Sequence, residues 1–205
     1  MVRVKVCGIT RPEDGHVAAG AGADAIGLVF FEKSPRRVSV ERAREISAAL
    51  PEGVLKVGVF VNEEAGEVLR VAAEVGLDCV QLHGDEGPEV VRELRASGLK
   101  VIKALRVRDA GSLKRMGEYG ADLFLLDAWK KELYGGTGTR FDWGLANVLG
   151  GCANIVISGG LTPENVRRAV ELFEPYGVDA SSSLEDAPGR KNGERVRRFI
   201  SAAKG

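Results

Sequence analysis

Gly76-Leu77-Asp78-Cys79-Val80-Gln81-Leu82-His83-Gly84 carries the fold in miniature. Gly76 is placed to end a helix in the left-handed conformation, which glycine adopts without steric cost. The run at 79–83 is short and nearly continuous in apolar residues, which suits a strand rather than a helix. On either side, residues 64–75 and 88–96 place apolar side chains every three or four positions, the period of an amphipathic helix. The unit reads as helix, glycine, strand, helix.

The same punctuation recurs outward from it. Gly22-Ala23-Asp24, Gly120-Ala121-Asp122 and Gly177-Val178-Asp179 echo Gly76-Leu77-Asp78, each ahead of an even-numbered strand. This is a weak internal repeat of two βα units. Apolar runs at 2–7, 25–30, 55–61, 79–83, 101–105, 122–127, 154–158 and 178–181 give eight strands, most of them apolar enough to be buried on both faces of a parallel sheet. Helical periods at 40–50, 64–75, 88–96, 163–173 and 193–203 alternate with them. Thr10-Arg11-Pro12-Glu13 reads as a capping box, and Thr162-Pro163 as an N-cap with proline at the first helical position. Eight βα units in 205 residues fit one single-domain α/β chain, a (β/α)8 TIM barrel over 1–205. A doubly wound sheet alternates too, but the count of eight and the lack of a Gly-rich dinucleotide turn after the first strand argue against it. Residues 129–140 read as a mobile loop after the sixth strand; their Gly135-Gly136-Thr137-Gly138 lacks dinucleotide-binding spacing.

Charge narrows the function. Lys+Arg and Asp+Glu cancel at 29 each, so no global basic field draws nucleic acid or an anionic membrane, and any anion site must be local. No run approaches the ~18 apolar residues of a membrane helix. The start Met1-Val2-Arg3-Val4-Lys5 lacks a signal peptide's apolar stretch, so a cytoplasmic protein is expected. Cys7, Cys79 and Cys152 are widely spaced without CxxC, and His16 and His83 are the only histidines. Neither a disulfide framework nor a metal site is expected.

Barrel active sites lie at the C-terminal ends of the strands. The sixth strand there ends in Asp127, an ionisable group closing four apolar residues. Burial beside apolar walls raises a carboxyl's pKa above its usual value of about 4, and a carboxyl kept partly protonated serves as a general acid. The first strand ends in Cys7-Gly8; strand alternation puts Lys5 on the same face. Cys7 can be a nucleophile or a base, while Cys79 and Cys152 read as small buried residues. Lys5 and Lys103 suit either a site or buried pairing with carboxylates. Ser158-Gly159-Gly160 after strand seven and Ser181-Ser182-Ser183 after strand eight, ahead of a short helix at Leu184-Glu185, mark a phosphate site. Of Arg36 and Arg37, one turned inward can grip a carboxylate bidentately. Gln81 and His83 line the cavity or satisfy each other.

Together these motifs resemble the phosphoribosylanthranilate isomerase family. The likeness runs along nearly the whole chain: Lys5-Val6-Cys7-Gly8-Ile9-Thr10, Ser34-Pro35-Arg36, Val57-Gly58-Val59-Phe60, Gln81-Leu82-His83-Gly84, Leu126-Asp127, Gly135-Gly136-Thr137-Gly138 with Phe141-Asp142-Trp143, Ser158-Gly159-Gly160-Leu161 with Pro163-Glu164-Asn165, and Asp179 with Ser181-Ser182. The resemblance implies a cofactor-free Amadori rearrangement of N-(5-phosphoribosyl)anthranilate, a small phosphorylated substrate, in tryptophan biosynthesis. It makes Asp127 the general acid at the ring oxygen and Cys7 the general base at C2′. Arg36 becomes the contact to the anthranilate carboxylate. Gly159, Gly160, Ser181 and Ser182 become the phosphate site, with Ser183 beside them, and Asp179 a further active-site position. Monomers and homodimers are both open to such a barrel.

Two positions depart from the family pattern. Ser183 stands where a glycine is usual, which would strain a left-handed backbone there. Asn192 replaces an Asp after Gly189-Arg190-Lys191. The related histidine-pathway isomerase performs the same rearrangement but places Asp at the end of strand one and adds a second phosphate loop near the middle of the chain. Indole-glycerol-phosphate synthase needs an N-terminal extension, whereas this first strand starts at residue 2. A non-catalytic phospho-ligand barrel would leave Cys7 and Asp127 dispensable.

Overall fold

A computed structural model describes residues 1–107, 116–128 and 154–205. Eight parallel strands close into a barrel in chain order: β1 Arg3–Cys7, β2 Ala25–Val29, β3 Leu55–Phe60, β4 Cys79–Leu82, β5 Lys100–Val107, β6 Leu123–Ala128, β7 Ile155–Ile157 and β8 Gly177–Ala180. β8 returns to β1 and sets Lys5 opposite Asp179. Helices Pro12–Gly20, Val40–Ala49, Ala65–Val75, Pro88–Ala96, Met116–Tyr119, Val166–Phe173 and Gly193–Lys204 lie among the described connections. None of the described helices is long and apolar enough to cross a membrane.

Strand alternation divides the core. Val4, Val6, Ile26, Leu28, Val80 and Leu82 face outward and pack with helix residues such as Val68, Val71, Ala169 and Phe199. Ala25, Val57, Cys79, Ile102, Ala104, Leu125 and Val156 fill the barrel's inside. Above them Cys7, Val29 and Val59 form a thin apolar layer beneath the mouth. Both faces of each strand are buried, which is why the runs read as continuous rather than alternating. Cys79 is buried as expected. Cys152, Gly135-Gly136-Thr137-Gly138 and Phe141-Asp142-Trp143 lie outside the described residues.

The glycine triplets have a physical basis in three of four cases. Gly22, Gly76 and Gly120 are left-handed, at φ 94°, 69° and 61°. The carboxylate two residues on then reaches back to the preceding strand. Asp24 accepts from the Val4 N–H at 2.8 Å, Asp78 from Lys56 at 2.8 Å and Asp122 from Val101 at 2.9 Å. Each carboxylate also meets a cation: Arg3 at 2.7 Å, Lys56 at 3.3 Å and Arg95 at 2.9 Å. The fourth triplet differs. Glu174, at φ 43°, closes the helix Val166–Phe173, and Gly177 already belongs to β8. A Cβ on Gly177 would lie 2.9 Å from the Arg3 carbonyl, so glycine serves close strand approach there.

Three local expectations are corrected. The helix Pro12–Gly20 starts without a side-chain cap: Thr10 donates its hydroxyl to the Gly189 carbonyl at 2.5 Å, and Arg11 forks onto Asp14 at 2.7 and 3.1 Å. Pro163 lies in a turn rather than at a first helical position and the helix begins at Val166, although Thr162 Oγ1 does accept from the Glu164 N–H at 3.2 Å, as a capping hydroxyl would. The short helix after β8 spans Ser182–Leu184, and Glu185 opens a two-stranded ribbon, β9 Glu185–Ala187 with β10 Arg190–Lys191.

Candidate functional site

The C-terminal mouth of the barrel holds a cavity lined by Cys7 from β1, Arg36 after β2, Gln81 and His83 at the end of β4, Asp127 from β6, Ser158 to Gly160 after β7, Asp179 from β8 and Ser181 to Ser183 after it. The residues the family resemblance assigns to the site meet there, together with Gln81 and His83; Lys5, Lys103 and Arg37 do not line it.

Cys7 sits at the end of a strand whose neighbour makes room for it. A Cβ on Gly27 would lie 2.6 Å from the Cys7 sulfur, so the absence of a side chain on β2 seats the thiol. Burial pushes the Cys7 thiol above its ordinary range, the Lys5 charge pulls it back, Asp179 adds to the rise and Lys191 opposes it. Lys5 is itself buried. Desolvation acts to lower its pKa, but Asp179, bonded to it at 2.8 Å, and Cys7 together outweigh that and hold the ammonium above its usual value. Ser158 donates its hydroxyl to the other Asp179 oxygen at 3.3 Å. Asp179 therefore fixes the cation beneath the thiol.

Asp127 is 6% exposed. A polar chain reaches it from β4: Gln81 Nε2 lies 2.7 Å from His83 Nδ1, and His83 Nε2 lies 3.3 Å from Asp127 Oδ2. With the Gln81 amide donating, Nδ1 is the acceptor and Nε2–H faces the carboxylate. Gln81 and His83 thus line the cavity and bond each other, while the buried Gln81 Oε1 has no partner among the described residues. Lys103 has the buried partner its position suggested, Glu86 at 2.6 Å, and that carboxylate also accepts from the Gly84 and Asn62 N–H groups. The pair steadies the turn that carries His83.

Across the mouth, Gly159 and Gly160 adopt φ 84° and 67°, which a side chain would strain. Among the described residues, the N–H groups of Gly159, Gly160, Ser182 and Ser183 have no acceptor. Such groups form an anion cradle. Ser183 is not left-handed, so the serine strains nothing. Its hydroxyl donates to the Leu161 carbonyl at 2.5 Å and ties the two loops together. Asn192 caps the last helix, accepting from the Arg195 N–H at 3.0 Å, a task its amide oxygen performs as well as a carboxylate.

Arg36 turns inward while Arg37 stays exposed. Glycine again permits it: a Cβ on Gly8, which is left-handed at φ 76°, would lie 2.6 Å from Arg36 Cδ. The carboxylate Arg36 grips is the protein's own Glu185. Sequence reading missed Glu185, Lys191 and Gly27. A three-residue strand facing a two-residue one carries no usable period, and a glycine in a strand announces only close approach.

A family model described as "PRAI: N-(5'phosphoribosyl)anthranilate (PRA) isomerase" matches residues 4–202. The N-(5'-phosphoribosyl)anthranilate isomerase of Rubrobacter xylanophilus is 74% identical over 205 residues, covering 100% of both chains. A solved structure of the phosphoribosyl anthranilate isomerase of Thermotoga maritima superposes with a TM-score of 0.93 at 45% identity, again over 100% of both. Another, with a TM-score of 0.87 at 43% identity and 100% coverage of both, is described as monomers of the dimeric Thermotoga maritima enzyme. A third, at 0.88 and 43% over 100% of both, is a phosphoribosyl anthranilate isomerase in complex with reduced 1-(o-carboxyphenylamino)-1-deoxyribulose 5-phosphate.

Proposed function

The chain belongs to the N-(5'-phosphoribosyl)anthranilate isomerase family, and from that premise we propose how its residues divide the work. The activity is the isomerisation of phosphoribosylanthranilate in tryptophan biosynthesis. The observation that carries the division of labour is the cavity, which gathers Cys7, Asp127, Arg36 and two glycine-serine loops around one mouth.

The loops Gly159-Gly160 and Ser181-Ser182-Ser183 hold the substrate phosphate through backbone N–H groups and hydroxyls. Arg36 takes the anthranilate carboxylate. Asp127, protonated, gives its proton to the furanose ring oxygen as the C1′–O bond breaks and the anilino nitrogen supplies electrons to form an iminium. Cys7, as thiolate, removes the C2′ proton, and the C–H electrons form the C1′–C2′ double bond of an enolamine. Transfer of the C2′ hydroxyl proton to C1′ yields the ketone. The protein is left with a proton gained on Cys7 and one lost from Asp127, so one proton passes between them through solvent to reset the pair. Lys5, anchored by Asp179, stabilises the thiolate against its burial. His83, held by Gln81, keeps the Asp127 carboxyl aimed and stabilises the carboxylate left behind.

We further propose that 1–205 is one catalytic domain, that the protein is cytoplasmic, and that it forms a homodimer, the last on likeness to the dimeric Thermotoga maritima enzyme. The roles are tested by following the fluorescence decay of freshly made phosphoribosylanthranilate. Cys7→Ser and Asp127→Asn are each expected to lower kcat by about 10²-fold or more. Near-normal kcat in either variant removes that residue from its role.

A further inference from the structure

Behind the cavity wall Arg36 meets two buried charges, Glu185 and Lys191, that the reaction as described leaves unused. Arg36 Nε donates to the two Glu185 oxygens at 2.9 and 3.1 Å, and Nη2 donates to Oε2 at 2.7 Å. Lys191 Nζ donates to the same carboxylate at 2.7 Å, and to the Ser181 carbonyl and hydroxyl at 3.2 and 3.5 Å. The Lys191 and Glu185 side chains are 0% and 4% exposed. Neither lines the cavity, whereas Arg36 and Ser181 both do.

We propose that Glu185, braced by Lys191, is the positioning residue that aims Arg36 at the substrate carboxylate and so makes the enzyme selective for a carboxylated arylamine. The inference rests on the reading of Arg36 given above. Glu185 occupies the Nε–Nη2 edge of the guanidinium, leaving Nη1 with no acceptor among the described residues. An unanchored arginine loses up to about 2 kcal/mol of rotamer entropy when a ligand orders it, and here that order exists beforehand. Charge agrees with geometry. Two cations surround one carboxylate, and burial of the surplus positive charge is relieved when a substrate carboxylate arrives. The hydrogen bonds from Arg36 and the Lys191 charge keep Glu185 below its ordinary 4.5 although burial acts to raise it, so it stays anionic in this role. Lys191 couples the same unit to the phosphate loop through Ser181.

The test measures KM and kcat for Arg36→Met, Glu185→Gln and the double variant. The substrates are phosphoribosylanthranilate and its decarboxy analogue, phosphoribosylaniline, made from aniline and ribose 5-phosphate. Each single change is expected to raise KM for phosphoribosylanthranilate by about 10-fold or more while kcat shifts less than about threefold. The double variant is expected to be no worse than Arg36→Met alone, since both remove one interaction. For phosphoribosylaniline all forms should agree within about threefold. Glu185→Asp keeps the charge but shortens the reach; it guards against a misfolded Glu185→Gln and should raise KM for the carboxylated substrate alone. If Arg36→Met raises KM but the Glu185 variants do not, or their effect is additive or equal on both substrates, Glu185 is not the positioning residue. If Arg36→Met itself leaves KM unchanged, the Arg36 reading falls and this inference with it.

Discussion

At the scale of the residue, Ser183 shows how a local departure is absorbed. Read from sequence, a serine in place of glycine threatened the phosphate loop with strain. The backbone there is not left-handed, and the hydroxyl bonds to the Leu161 carbonyl on the neighbouring loop. One hydrogen bond of this kind contributes about 1 kcal/mol, so Ser183→Ala is expected to raise KM by about fivefold with kcat nearly unchanged. An unchanged KM in steady-state kinetics shows that the loops hold each other without it. Cys7, Asp127 and the glycine pair were legible because their types are costly or unusual at strand ends, whereas Arg36 was told from Arg37 only by the family resemblance. Glu185 was not, because its importance comes from a partner 149 positions away in sequence. No local pattern announces a contact of that span.

At the scale of the element, the Gly-x-Asp repeat proves to be a device for joining strands. The left-handed glycine ends a helix, and the aspartate then accepts the N–H of the preceding strand at the barrel's lower rim. Removing the Asp122 carboxylate leaves the Val101 N–H without its acceptor, while Arg95 keeps the Gly120 carbonyl. Asp122→Ala is therefore expected to cost about 1–3 kcal/mol of stability, read from urea unfolding at an unchanged m value. A loss below about 0.5 kcal/mol would mean that water replaces the carboxylate fully. Gly177 matched the pattern in letters but not in geometry, since it faces the Arg3 carbonyl rather than closing a helix. The capping box misread at Thr10 fails for a similar reason: its hydroxyl found an acceptor outside the box, at Gly189.

At the scale of the molecule, closure of eight strands brings β8 beside β1, and with it Asp179 beside Lys5 beneath Cys7. The barrel was legible in the sequence because both strand faces are buried and the helical periods between them are clear. What strand position alone left open was the role of Cys7, which only the family resemblance made a base; a buried thiol over an anchored ammonium suits a base that ionises when needed. The account's central claim is that Asp127 opens the ring and Cys7 then takes the C2′ proton. The measurement that tests it most directly is the isotope effect on kcat with substrate deuterated at C2′. In Cys7→Ser, where the C–H step is slowed, the effect should grow beyond that of the unaltered enzyme. In Asp127→Asn, where ring opening is slowed instead, it should shrink toward one. The reverse pattern, or the same isotope effect in both variants, would contradict the assignment.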